Sequence, residues 1–180
     1  VTRADGTTEI MGLTQEQIDD FIPGFYNEGK AYGDDKMYTM PMSKSTEVLY
    51  YNKTFFEANG LKVPTTWQEM QDTCQKLLEL DPACIPLGYD SENNWFITMC
   101  EQYGYDYTTA SGTGAEHYLF NNDDCKSFVK KIREWYQAGY VTTEALYGSY
   151  TSGLFTELDK TISHSYMCIG SSGGASYQIP

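Results

Sequence analysis

Apolar residues at Trp67, Met70, Cys74, Leu77, Leu78 and Leu80 recur every three or four positions, which predicts a helix of about fifteen residues with one buried stripe. Asp81-Pro82 stops it. At its start Pro64 holds Val63 extended, and Thr66-Trp67-Gln68-Glu69 reads as a capping box in which the threonine oxygen and the glutamate carboxylate satisfy backbone N–H groups reciprocally. Upstream the period changes. Val48, Leu49, Tyr50 and Tyr51 form a β-branched and aromatic strand closed by Asn52, after a short extended run that stops at Pro41. Lys53 to Asn59 returns to helical spacing, with Phe55, Phe56 and Ala58 apolar and Gly60 suited to the C-terminus.

The same alternation continues. Ile85 to Tyr89 reads as a short strand, Asp90 to Asn94 as a polar loop at its carboxyl end, and Trp95 to Tyr103 as a helix stopped by Gly104. Tyr105 to Gly114 is turn-rich, and Tyr118 to Phe120 has the composition of a brief strand. Asn122 caps a helix to about Ala138 that buries Phe128, Val129, Ile132, Trp135 and Tyr136. Thr151 to Leu158 predicts a short helix, and Thr161 to Ile169 a strand running into Gly170-Ser171-Ser172-Gly173-Gly174-Ala175. At the other end, Val1 to Gly12 reads as a frayed start. Thr14 to Gln17 is a second capping box, opening a helix that Pro23-Gly24 ends, and Phe25 to Asp35 is a loop. Strands alternating with helices predict an α/β fold with a short central sheet flanked by helices.

Composition narrows the function. The 180 residues, 41% of them apolar, suffice for one sizeable core or two small ones. The net charge of −13 repels nucleic-acid phosphates and anionic membrane surfaces. The 16 tyrosines and 3 tryptophans supply surfaces with an apolar face and a polar edge, suited to sugar rings or interfaces, although the plainer reading of most of the tyrosines is the core or its margin. Cys74, Cys84, Cys100, Cys125 and Cys168 lack metal-ligand spacing, and no cofactor signature occurs. A Cys74–Cys84 or Cys100–Cys125 bridge is open to an exported chain, but the favoured reading of each cysteine is a buried free thiol acting as a small apolar residue. No run approaches the roughly 18 to 20 apolar residues of a membrane span, and Asn52-Lys53-Thr54 is a glycosylation sequon in form only.

Tyr38 and Pro41, then LYYNKTFFEANGL and VPTTWQEM, resemble the central signature of bacterial extracellular solute-binding proteins of the sugar-binding type, the receptors of ABC importers, among them the maltose-binding members. The likeness extends at lower resolution through Gly88, Gly104 and the strand ending at Gly170. It implies a periplasmic-binding-protein-like type II fold, with residues 1–46 a remnant of the first lobe and crossover and residues 47–180 a truncated second lobe. It further implies a receptor without catalysis or cofactor, monomeric, outside the cytoplasmic membrane. A lipid anchor would lie beyond this stretch of chain, and the partners would be a carbohydrate and the ABC permease.

Carried over by position, the resemblance puts Lys44, Ser45 and Thr46 near the crossover, Asp90, Glu92, Asn94 and Trp95 in a sugar-contacting loop, and Ser171, Ser172 and Gly173 at a third wall. Asn94 and Gly173 stand where maltose-binding members carry aromatics, so Trp95 is a candidate for stacking. Each has a plainer reading: Glu92 as a helix-start carboxylate, Trp95 as a core anchor, the Ser/Gly run as a turn. Two enzyme readings stand beside the receptor. Gly170-Ser171-Ser172-Gly173-Gly174 fits a nucleophile-elbow pattern, although His117 and His164 both precede the serine. A carboxylate pair from Glu47, Asp90 and Glu92 would suit a glycan-processing hydrolase. A protein-interaction domain is the third alternative.

Overall fold

The computed structural model describes residues 2–8, 12–31, 34–109, 117–156 and 164–178. The chain forms two compact units, Val1–Lys44 with Ala110–His117, and Ser45–Thr109 with Tyr118–Pro180. In the first, Thr14 caps α1 (Gln15–Asp19) in the expected capping box. Pro23 does not end that helix into a loop. It occupies the first turn of α2 (Pro23–Glu28), where a fixed φ and a missing N–H cost nothing.

The second unit is built on a four-stranded sheet. Its strands are β1 (Glu47–Tyr51), β2 (Leu87–Tyr89), β3 (Val141–Thr143) and β4 (Met167–Ser171), in the order β1-β4-β2-β3. The last strand is inserted between the first two. β4 runs parallel to β2 and antiparallel to β1, and β2 runs parallel to β3. Because β1 is reversed, its first residue Glu47 pairs with Ser171, the last residue of β4. The start of β1 therefore shares one sheet edge with the ends of the parallel strands.

Helices α3 (Lys53–Ala58), α4 (Trp67–Leu80), α5 (Glu92–Tyr103) and α6 (Asp123–Gln137) follow the strands, and α7 (Glu144–Tyr147), α8 (Ser152–Thr156) and α9 (Ala175–Gln178) are short. This is the expected α/β arrangement of a small sheet flanked by helices. Asn52, Thr66, Ser91 and Asn122 each cap a helix through a side-chain oxygen. The box at α4 extends one residue back: Glu69 Oε2 accepts from Thr65 N–H and Thr65 Oγ1, each at 2.7 Å. The brief strand at Tyr118 is a single bridge to Thr108, β3 was not expected, and residues 157–163 of the two C-terminal expectations lie outside the described residues. Val129 and Tyr136 on α6 and Leu80 on α4 are exposed, because each falls off its helix's buried stripe.

The core gathers all three tryptophans. Trp95 stacks on Tyr89 with ring centroids 4.6 Å apart and lies 6.1 and 6.4 Å from Trp67 and Trp135. Burial pushes the thiols of Cys74 and Cys84 up to about 12 and that of Cys168 to about 11. Burial, followed by the hydrogen bond to Asp81, pushes the Tyr166 hydroxyl to about 12. The unfolded chain releases these protons first, from about pH 9 for thiols. Stability present below pH 9 is therefore lost as the pH rises toward 12. The urea unfolding midpoint is expected to hold between pH 7 and 8 and to fall clearly by pH 10.5, and an unchanged midpoint would contradict the burial of these groups.

Candidate functional site

A cavity of about 660 Å³ opens at the sheet edge where the parallel strands end. Open α/β sheets place ligands at this edge, because the loops leaving the strands diverge there. Ser45, Thr46 and Glu47 enter from the start of β1, Asp90 and Ser91 from the turn between β2 and α5, Asn94 from the first turn of α5, and Gly170 and Ser171 from the end of β4. Glu144, Tyr150, Ser152, Tyr177 and Gln178 close the far side.

Asp90 organises the floor. Its Oδ1 accepts from both Thr151 N–H (2.7 Å) and Thr151 Oγ1 (2.6 Å), fastening the start of α8 to the end of β2. Thr151 is fully buried, and its single hydroxyl proton goes to Asp90, so the Cys168 thiol donates to Thr151 Oγ1 at 3.3 Å. Gln178 Nε2 donates in turn to Cys168 Sγ at 3.6 Å. One buried polar chain thus links α9, β4, α8 and β2 beneath the cavity. Two glycines make room for it. A Cβ at Gly88 would stand 2.6 Å from Thr151 Cβ, and one at Gly170 would stand 2.7 Å from Asp90 Oδ2.

Glu47 is held as firmly. Its Oε2 accepts from Tyr89 Oη at 2.6 Å and Thr98 Oγ1 at 3.0 Å. Burial first, and then this hydrogen bond to a carboxylate, push the Tyr89 hydroxyl well above the usual phenol range. Tyr50 Oη donates to the Ser171 carbonyl at 3.0 Å, fixing the last residue of β4.

Of the residues singled out in the sequence, Ser45, Thr46, Asp90, Asn94 and Ser171 come together at the cavity. Ser172 works beside it: its N–H donates to the Thr46 carbonyl at 2.8 Å, and its Oγ accepts from Thr46 N–H at 3.1 Å. Gly173 N–H donates to Ser171 Oγ at 3.0 Å in the turn that follows β4. Lys44 belongs to the other unit, where its Nζ donates to Glu28 Oε1 at 2.7 Å. The expected loop at Asp90 to Asn94 is shorter than its composition implied, because Ser91 caps α5 and the helix begins at Glu92. Glu92 Oε1 accepts from Ala145 N–H at 2.9 Å and does not line the cavity. Trp95, one turn in and 2% exposed, is a core residue and cannot stack on a ligand in this cavity.

The aromatic rings at the cavity are Tyr150 and Tyr177, 65% and 74% exposed. They were missed because 16 tyrosines crowd the sequence and neither sits in a strand or a periodic helix. The one available signal was their placement: Tyr150 lies in a Gly/Ser segment, and Tyr177 lies six residues beyond the strand end. Among the described residues no cluster of His, Cys, Asp and Glu is arranged to hold a metal, and no helix is long and apolar enough to cross a membrane.

The profile of the bacterial extracellular solute-binding proteins matches residues 4–165. The chain belongs to this family. Over 95 residues this solute-binding protein is 30% identical to the multiple sugar-binding protein of Streptococcus mutans, an alignment covering 53% of this chain and 22% of the relative. Over 84 residues it is 35% identical to the sn-glycerol-3-phosphate-binding periplasmic protein UgpB of Salmonella paratyphi A, covering 45% and 18%. The chain spans about a fifth of the length of the curated relatives it matches. Among solved structures it is similar to an HMO binding ABC-transporter associated solute binding protein from Bifidobacterium longum infantis, with a TM-score of 0.45 and 18% identity over 73% of this chain and 31% of that one.

Proposed function

We propose that this chain is part of the substrate-binding component of an ABC importer, which captures a carbohydrate outside the cytoplasmic membrane and delivers it to the permease. The observation that carries this reading is the cavity itself. Glu47, Asp90 and Glu144 offer carboxylate oxygens, Ser45, Thr46, Ser91 and Ser152 offer hydroxyls, and two exposed tyrosines offer rings. Vicinal sugar hydroxyls need acceptors and donors, and the apolar faces of sugar rings pack on aromatic faces. The described lining residues include no lysine, arginine or histidine. A phosphate would meet three carboxylates and no cation at this wall, which favours a neutral sugar over a phosphorylated one.

In this reading the unit beginning at Ser45 is the second lobe of a type II binding protein and its cavity is one wall of the ligand cleft, closed by hinge motion in the whole protein. The protein acts as a monomer, with a lipid anchor or periplasmic confinement holding it near the membrane. The hydrolase alternatives find less support. Ser172 Oγ is engaged with Thr46 N–H, and Glu47 and Asp90 each accept two hydrogen bonds from neighbouring side chains or backbone.

Calorimetric titration of the whole protein with neutral oligosaccharides and with glycerol 3-phosphate tests this. A neutral sugar is expected to bind and be recovered unchanged, while the phosphate gives no heat. Tyr150→Ala and Tyr177→Ala are each expected to weaken binding about tenfold, the value of one lost stacking contact. A silent sugar panel, preferred binding of the phosphate, or cleavage of the sugar would each overturn the reading. Intrinsic tryptophan fluorescence is a poor reporter here, since Trp95 and Trp135 lie in the core, Trp67 packs against it, and none of the three lines the cavity.

A further inference from the structure

Cys100 in the last turns of α5 and Cys125 in the first turn of α6 bring their sulfurs to 3.8 Å across the helix pair. Both are buried, at 0% and 1% exposure. The surroundings fix this approach. Asn122 Oδ1 accepts from Cys125 N–H at 2.8 Å, and Asn122 Nδ2 donates to the carbonyls of Asp106 at 2.7 Å and Leu119 at 3.0 Å. One cap residue therefore ties the start of α6 to both ends of the segment that returns from α5. Gly104, in the left-handed region at φ 68°, turns the chain at the other side.

We propose that Cys100 and Cys125 form a disulfide in the exported protein, stapling α5 to α6. A disulfide needs its sulfurs about 2.0 Å apart, so each side chain has to move by roughly an ångström. In the reaction the two thiols release two protons and two electrons as the S–S bond forms. A disulfide of the oxidant, such as oxidised glutathione or an extracytoplasmic thiol–disulfide oxidoreductase, takes up both and leaves as two thiols. Burial, followed by the hydrogen bond with Cys125, pushes the Cys100 thiol up to about 11. Both sulfurs are closed off from an oxidant in the folded, reduced protein, so the bond forms while the chain folds. Cys74, Cys84 and Cys168 remain thiols, the last within the polar chain under the cavity. The inference rests on the helix geometry and on membership of an extracellular family, not on the identity of the solute.

The chain is refolded in reduced and oxidised glutathione, and its thiols are counted in denaturant. Three reactive thiols are expected, five cysteines less the two joined. A non-reducing peptide map is expected to join the peptide of Cys100 to that of Cys125. Melting of the oxidised protein is expected on the order of 5–10 °C above the reduced form. In the Cys100→Ala/Cys125→Ala variant that redox dependence disappears. Five thiols after oxidative refolding, or a bridge joining any other pair, would overturn the proposal, and both are read on the unaltered chain.

Discussion

Replacing Trp95 by alanine is expected to destabilise the protein by about 3–5 kcal/mol, the range for emptying a large aromatic from a packed interior. Trp95 contacts more than its own helix. Its indole stacks on Tyr89 of β2 at an interplanar angle of 11°, meets Phe128 of α6 edge-on at 6.2 Å, and lies beside Trp67 and Trp135. Removing it loosens α4 and α6 from β2 at once. Trp95→Phe separates volume from chemistry. Among the described residues the indole N–H has no acceptor, so phenylalanine forfeits no hydrogen bond and is expected to cost about 1 kcal/mol. Urea unfolding of both variants measures the difference. Equal losses would mean that the indole nitrogen, not the ring volume, holds the site together.

Helix ends were legible because they are written in single residues. Thr66 and Asn122 cap the helices they precede, and Gly60 and Gly104 take the positive φ that ends two others, whereas Asn52 reads in the sequence only as the end of a strand and turns out also to cap α3. Strand β3 was not legible, since Val141-Thr142-Thr143 is too short to establish a period of two and all three residues are buried. The stretch after β2 was misread for a related reason. Its polar composition suggests a loop, yet Ser91 accepts from Asn94 N–H at 3.2 Å and starts the helix early, which turns Trp95 inward. The sheet order escaped as well, because insertion of β4 beside β1 depends on contacts more than a hundred residues apart.

The same division holds at the cavity. Residues flanking strands, such as Thr46, Asp90 and Ser171, could be placed through the family resemblance, and Asp90 and Ser171 also because the carboxyl end of a strand emerges at the sheet edge. Tyr150 and Tyr177 depend on how α8 and α9 dock, and four- or five-residue helices carry too little pattern to say. What docks them is the polar chain from Asp90 to Gln178, whose members are scattered over four elements and look unremarkable in the sequence.

Asp90→Ala is accordingly expected to cost about 2–4 kcal/mol, because it strips the acceptor from two donors of a fully buried threonine. Asp90→Asn keeps an oxygen in place and is expected to lose only about 1 kcal/mol, the charge assistance. Ligand affinity is expected to fall further than stability alone explains, since Tyr150 immediately precedes Thr151 and loses its anchor. A double-mutant cycle isolates the hydroxyl contact from the backbone one. Thr151→Val removes Oγ1 and leaves the N–H, so Asp90→Ala and Thr151→Val are expected to couple by about 1 kcal/mol or more in urea unfolding. Additive losses would show that the carboxylate and the hydroxyl stabilise the cavity floor independently. A coupling also visible in the sugar affinities would assign the clasp to ligand binding, because a purely structural contact would move the unfolding midpoint and leave the affinity of the folded protein unchanged.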